Sequence, residues 1–153
     1  MDHIDMELVR QLQQNADVSA RELGNLVGLS ATPCWRRVKA LEEAGVIDRR
    51  VAIVDPERIG LTVNALVSIR TNDHSSAWIK TFRSAVDDFP EIVEAYRTSG
   101  EMDYQLSVRV TSIAAFDAFY QRLVDAVPLH DVRSTFVMEH LKHTTELPLN
   151  HLI

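Results

Sequence analysis

The stretch Ser19-Ala20-Arg21-Glu22-Leu23-Gly24-Asn25-Leu26-Val27-Gly28-Leu29-Ser30-Ala31-Thr32-Pro33-Cys34-Trp35-Arg36-Arg37-Val38-Lys39-Ala40-Leu41-Glu42-Glu43-Ala44-Gly45 decides how the N-terminal part folds. Ser19 and Glu22 form an S-x-x-E capping box, which opens a helix by satisfying orphan backbone amides reciprocally. Leu23, Leu26 and Val27 give that short helix an apolar face. Gly28 supplies a C-cap and a tight turn. Ser30 stands where an N-cap is needed for the next helix, and Pro33 is tolerated in a first turn whose amides lack intrahelical partners. That helix runs to about Ala44, and Gly45 closes it. Helix, glycine turn, helix is the spacing of a helix-turn-helix.

At about 100° per residue, Cys34, Val38 and Leu41 share one face of the third helix and should pack inward. Thr32, Arg36, Lys39 and Glu43 lie opposite, with Trp35 and Ala40 on the flanks. A recognition helix needs this division: one face anchors it, and a polar, basic face enters the major groove. Arg36 can read guanine through its planar fork, Lys39 can neutralise phosphate, and Thr32 can touch a thymine methyl or a phosphate. Trp35 either packs on the first helix or lies along the DNA backbone. Arg37, at the border of the buried side, either pairs with a nearby acid or contacts phosphate. Cys34, on the inward face, reads as a small hydrophobe rather than a redox sensor.

Working outward, Ile4, Leu8 and Leu12 give residues 1–14 a helical stripe, ended by Asn15-Ala16-Asp17. Val46–Val54 is rich in β-branched residues, and Asp55-Pro56 through Ile59-Gly60 punctuates the chain. These features divide it into a helix-turn-helix domain at 1–50, a linker with a hinge strand at 51–60, and a second domain at 61–153. In the second domain Thr62–Arg70, Ile92–Thr98, Tyr104–Val110 and Val132–His140 read as strands. A helix capped at Ser75 or Ser76 carries Trp78, Phe82, Val86 and Phe89. Another, capped at Ser112, carries Ile113, Phe116, Tyr120, Leu123 and Val127. The order βαββαβ is the ferredoxin-like plan, so the fold class is α+β: a winged-helix-like N-terminal domain and a four-stranded antiparallel sheet with two helices on one side. The strands carry apolar residues on both faces, which predicts a homodimer covering the open one.

The chain has 153 residues, 46% of them hydrophobic and 25% charged, which is the globular norm. Its net charge of −6 is unlike that of a generally basic DNA binder. Ser30–Leu41, however, holds Arg36, Arg37 and Lys39 and no acid, so one short basic helix sits on an acidic protein. No apolar run reaches membrane-spanning length, and the acidic start Met1-Asp2-His3-Ile4-Asp5 is not a signal peptide, which predicts a cytoplasmic protein. His140, His143 and His151 fit no metal-site spacing. There is no phosphate-loop pattern, G-x-S-x-G or Cys/His constellation, so catalysis is not expected. A stand-alone sensing or dimerisation module is the other alternative, and the basic third helix argues against it.

The segment Gly28–Ile47 resembles the recognition-helix signature of the Lrp/AsnC (feast/famine) regulators. Asp55-Pro56 through Ile59-Gly60 resembles their hinge, and Gly100-Glu101-Met102-Asp103-Tyr104 matches their G-x-x-D-Y element. Phe136-Val137-Met138-Glu139, Thr144-Thr145 and Leu147-Pro148-Leu149 resemble the tail of one proteobacterial branch. The resemblance implies a transcription regulator that binds double-stranded DNA as dimers, often assembled four to a ring as an octamer. It further implies an amino-acid effector held non-covalently, with no other cofactor. On it, Gly100, Asp103 and Tyr104 inherit the effector role, with Thr98 and Ser99 beside them. Read from the residues alone, the same element is a β-turn followed by a core tyrosine. Gly24 departs from the family's usual alanine, and a helix-interior glycine costs about 1 kcal/mol relative to alanine.

Overall fold

The computed structural model describes residues 1–152 and divides into two compact units. The first comprises Met1–Ile53 together with the chain from Lys142 onward; the second is Val54–Leu141.

The first unit is built on α1 (His3–Gln14), α2 (Ala20–Val27) and α3 (Ala31–Glu43). Two of the three start on a reciprocal capping box. The Ser19 hydroxyl accepts from the Glu22 amide while Glu22 accepts from the Ser19 amide. Asp2 and Asp5 do the same for α1, a use of the acidic N-terminus that periodicity alone does not reveal. Ser30 occupies the N-cap position of α3, but its side chain makes no capping bond. Leu8, Val9, Leu12, Leu23, Cys34, Val38 and Leu41 form the buried core, as the helical spacing requires.

The turn between α2 and α3 explains Gly24. Gly28 adopts φ +73°, and the Gly28 and Leu29 amides both donate to the Gly24 carbonyl, the latter at 2.8 Å. A Cβ on Gly24 would lie 2.6 Å from the Leu29 carbonyl oxygen. The glycine therefore permits close approach of backbone to backbone, which outweighs the propensity cost.

The expected hinge strand is absent: among the described residues, 46–54 contains no strand, and Val51, Ile53 and Val54 are exposed. β-branched residues favour extended backbone, but a strand also needs a neighbouring strand, and among the described residues this segment pairs with none. A single 3₁₀ turn, Glu57–Ile59, follows. The end of the chain also differs from the sequence-based division. Residues from Lys142 onward belong to the helical unit rather than to the sheet domain, with Leu149 packed against the helical core.

The second unit carries β1 (Val63–Arg70), α4 (Ser76–Asp88), β2 (Ile92–Arg97), β3 (Tyr104–Val110), α5 (Ile113–Ala126) and β4 (Asp131–Phe136). The strand order is β2-β3-β1-β4 with every pairing antiparallel, the ferredoxin-like arrangement. Ser75 and Ser112 cap the two helices. One sheet face, carrying Ala65, Val67, Ile69, Leu106, Val108 and Val110, is covered by Trp78, Phe82 and Ala85 of α4 and by Phe116, Phe119 and Leu123 of α5. In α5 Phe119 is buried together with Phe116 and Leu123, whereas Tyr120 is only partly buried and Ile113 is 57% exposed. With aromatics at both 119 and 120, the apolar period alone fits either choice.

The other sheet face is more polar than the sequence suggests. Phe136 pairs with Ala65 and therefore lies on the helix side, where its ring meets Phe116 edge-on at 5.1 Å. β4 ends there, and Met138 is 94% exposed beyond it. The face without helices carries Asn64, Leu66, Ser68, Gln105, Ser107 and Arg109, with Tyr96 at the edge. The Ser68 hydroxyl donates to Gln105 Oε1 at 2.7 Å. Leu66 and Tyr96 are large exposed apolar groups there.

Candidate nucleic-acid interface and effector loop

Burial of Cys34, Val38 and Leu41 fixes the rotation of α3 about its axis, so Thr32, Trp35, Arg36, Lys39 and Glu43 face outward. Arg36 and Lys39 make no ion pair among the described residues. Trp35 is 57% exposed, and the Lys39 ammonium sits over its ring, 5.1 Å from the centroid. Trp35 is thus not sequestered against α1. A cation held on an aromatic face loses fewer degrees of freedom when it meets a partner.

Arg37 is different: of the two roles the sequence leaves open for it, the structure shows the ion pair. Its Nη1 donates to Asp2 and to Asp5, each at 2.7 Å. The bonds from Asp5 and Asp2 hold the guanidinium's pKa above its usual value. In turn the Asp5 amide, and then Arg37, hold the Asp2 carboxyl below the usual carboxylate range. The arginine at the border of the core fastens the recognition helix to the start of α1. Cys34 is fully buried, and desolvation pushes its thiol pKa up, which leaves it neutral and unreactive.

In the second unit the loop between β2 and β3 contains four of the five sequence-predicted effector residues, Thr98, Ser99, Gly100 and Asp103, and the fifth, Tyr104, opens β3. Gly100 adopts φ +135°, a conformation L side chains rarely reach. The Thr98 hydroxyl donates to the Met102 carbonyl at 2.7 Å, and the Thr98 amide to the Asp103 carbonyl at 2.8 Å. Asp103 is engaged three ways. Its carbonyl receives Thr98, its amide donates to Ile69 O at 2.8 Å, and its Oδ2 accepts from the Thr71 amide at 2.9 Å. Thr71 is 4% exposed, so this carboxylate satisfies a buried donor where β1 ends. Tyr104 packs its ring on Phe82 and Trp78, with centroids at 4.5 and 5.7 Å. Ser99 is exposed at the tip.

Tyr104 also floors an open cleft of about 420 Å³ between α4 and the edge strand β2. Phe82, Ile79 and Ala95 supply further apolar lining, and Arg83, Asp87 and Arg97 stand at its rim. The sequence-based site list omits these residues. The signal was the spacing of Ile79, Phe82, Arg83, Val86 and Asp87 along one side of α4, beside the core stripe. Among the described residues no group of three or more His, Cys, Asp or Glu could hold a metal ion. His140 Nε2 instead lies 3.1 Å from Asn64 Nδ2 and 3.2 Å from Arg109 Nη2. No described helix is long and apolar enough to cross a membrane.

Residues 1–48 match the model for a winged helix-turn-helix DNA-binding domain, and residues 64–147 match the Lrp/AsnC ligand binding domain. The chain belongs to the Lrp/AsnC family. It is 45% identical over 150 residues to the DNA-binding transcriptional activator DecR of Escherichia coli K12, covering 97% of this chain and 99% of DecR. The crystal structure of an AsnC family regulator from Agrobacterium tumefaciens superposes with a TM-score of 0.95 at 49% identity, covering both chains fully. A Neisseria meningitidis regulator in complex with L-methionine gives 0.96 at 34% identity, covering 100% of this chain and 99% of that one. This Lrp/AsnC protein is a DNA-binding transcriptional regulator, and its α3 is the second helix of the helix-turn-helix.

Proposed function

We propose that the protein recognises specific duplex sequences through the outward face of α3 and changes its DNA binding when an amino acid occupies the sheet domain. Thr32, Trp35, Arg36 and Lys39 make the DNA contacts. Arg37 serves the scaffold. The observation that carries this reading is that two cations, Arg36 and Lys39, without an ion pair among the described residues, are presented on a helix whose opposite face is buried. Base-edge contacts supply specificity and phosphate contacts supply affinity.

The effector seat is the Thr98–Tyr104 loop, where Gly100 lets backbone amides approach a carboxylate and Tyr104 offers an aromatic wall. Methionine binding by the Neisseria relative supports an amino acid as the effector class. Asp103 shapes the loop through Thr71 and offers its second oxygen to an ammonium. We further assign a homodimer formed across the helix-free sheet face, assembling further to an octamer, in the cytoplasm. Leu66 and Tyr96, together with the buried and unpartnered Asn64 Oδ1, mark that face as the one to be covered.

The test is selection of duplexes from a random library by the parent protein, followed by anisotropy titration with Arg36→Ala/Lys39→Ala. Loss of two such contacts lowers affinity about a hundredfold or more. Parent-like affinity in the double variant would refute the assignment. A thermal-shift screen of the twenty amino acids on the parent identifies the effector.

A further inference from the structure

The last residues of the chain are hydrogen-bonded into the DNA-reading unit. Gln13, near the end of α1, makes a reciprocal pair with the backbone of Leu147: Nε2 donates to the Leu147 carbonyl at 3.2 Å, and the Leu147 amide donates to Oε1 at 2.6 Å. Gln14 donates to Glu146 Oε2 at 3.4 Å. Leu149 is partly buried against the cluster formed by Leu8, Leu12, Leu23 and Val38, and the Leu152 amide turns back to its carbonyl at 3.0 Å. The tail thus braces the C-terminal end of α1. The other end of α1 carries Asp2 and Asp5, which grip Arg37 on α3. Twelve helical residues span about 18 Å, and a helix of that length is stiff. α1 is therefore a strut with the tail at one end and the recognition helix at the other.

The same stretch of chain begins in the sheet domain. It leaves β4 with the Val137 amide donating to the Asn64 carbonyl at 2.9 Å, and His140 lies against Asn64 and Arg109. One continuous segment, 131–152, is hydrogen-bonded into the ligand-binding unit at its start and into the DNA-reading unit at its end.

We infer that the C-terminal segment 142–152 is a positioning strap: through Leu147, Leu149 and α1 it sets how Arg37 holds the recognition helix, and so transmits the state of the sheet domain to DNA affinity. This rests on the DNA-binding reading above and adds a regulatory path to it. The strap touches no DNA.

The experiment uses the full chain, a chain ended after Thr145, and the variants Gln13→Ala and Arg37→Ala, each titrated against the duplex selected by the parent. Hydrogen exchange is followed in α1 and α3. Ending the chain at Thr145 removes the three hydrogen bonds to Gln13 and Gln14 and the packing of the partly buried Leu149, and should weaken DNA binding about tenfold. Amides of α1 and α3 should exchange faster, while those of the sheet stay protected. Gln13→Ala should lose a smaller factor in the same direction, and it decides the matter should the shortened chain lose its helical signal. The discriminating readout is Arg37→Ala introduced into the shortened chain. If the strap acts through Arg37, the combined loss falls clearly short of the product of the separate losses. Parent-like affinity in both the shortened chain and Gln13→Ala, or losses that multiply, would overturn the strap. A parent that enriches no duplex would instead overturn the DNA-binding reading beneath it.

Discussion

The two units treat their signature charges in opposite ways. On α3 of the helical unit, Arg36 and Lys39 face outward and make no ion pair among the described residues, whereas Arg37 is tied to Asp2 and Asp5. In the sheet unit the G-x-x-D-Y element is consumed locally. Asp103 satisfies Thr71 and Ile69, Thr98 closes on Met102, and Tyr104 stacks into the core. A motif can thus mark a surface held ready for a partner or a piece of architecture that shapes one. The hydrogen-bond accounting of each residue separates the two cases.

The comparison can be broken first at Gly24. Placing a Cβ 2.6 Å from the Leu29 carbonyl forces the α2–α3 turn to move. Gly24→Ala should therefore destabilise the helical unit by about 1–3 kcal/mol, against the gain expected from helix propensity. Urea unfolding followed by Trp35 fluorescence measures it, and a stabilised variant would show that the turn yields easily. Next comes Asp103. Asp103→Ala removes the acceptor of a buried amide and should cost the sheet unit about 1–2 kcal/mol, whereas Asp103→Asn keeps an oxygen there and should cost less than half of that. If effector binding is lost in the asparagine variant while stability is kept, the charge faces the ligand. If both variants lose only stability, the residue is purely architectural.

The smallest effect is that of acid. Asp2 is held below its ordinary pKa by the Asp5 amide and by Arg37, and Glu22 by the Ser19 hydroxyl and amide. A carboxylate whose folded pKa is depressed contributes stability above its unfolded pKa and loses it as pH falls through the folded one. The helical unit should therefore weaken as pH drops below the ordinary carboxylate range, and the step should shrink in Asp2→Asn. An unchanged acid limb in that variant would remove Asp2 from the account.

How much of this was legible in the sequence follows from the range of each interaction. The S-x-x-E box, Gly28 and the 34/38/41 stripe are local, and all stand where spacing puts them. The ferredoxin-like order was equally legible because period two and period 3.6 alternate cleanly along the second half. Three things were not. The choice of Phe119 over Tyr120 as the more deeply buried aromatic of α5 depends on which side the sheet lies. The polarity of the helix-free sheet face depends on strand register, which places Phe136 opposite Ala65. The docking of Leu147 and Leu149 on α1 joins residues more than a hundred positions apart through a segment with no period at all. For the site, periodicity found the outward residues of α3, but the fate of Arg37 was settled by two aspartates whose capping role lay outside the apolar pattern.

The central claim is that α3 divides its cations between DNA and scaffold, and the salt dependence of binding tests it most directly. Each phosphate neutralised contributes about 0.9 to the slope of log K against log salt. For each bound copy of α3, Arg36→Gln/Lys39→Gln should lower that slope by about two when both cations meet phosphate, and by about one when Arg36 reads a base instead, so that a homodimer shows about twice these changes. Arg37→Gln should leave the slope at the parent's value while lowering the stability of the helical unit. A slope that falls with Arg37→Gln and holds with the double variant would contradict the account.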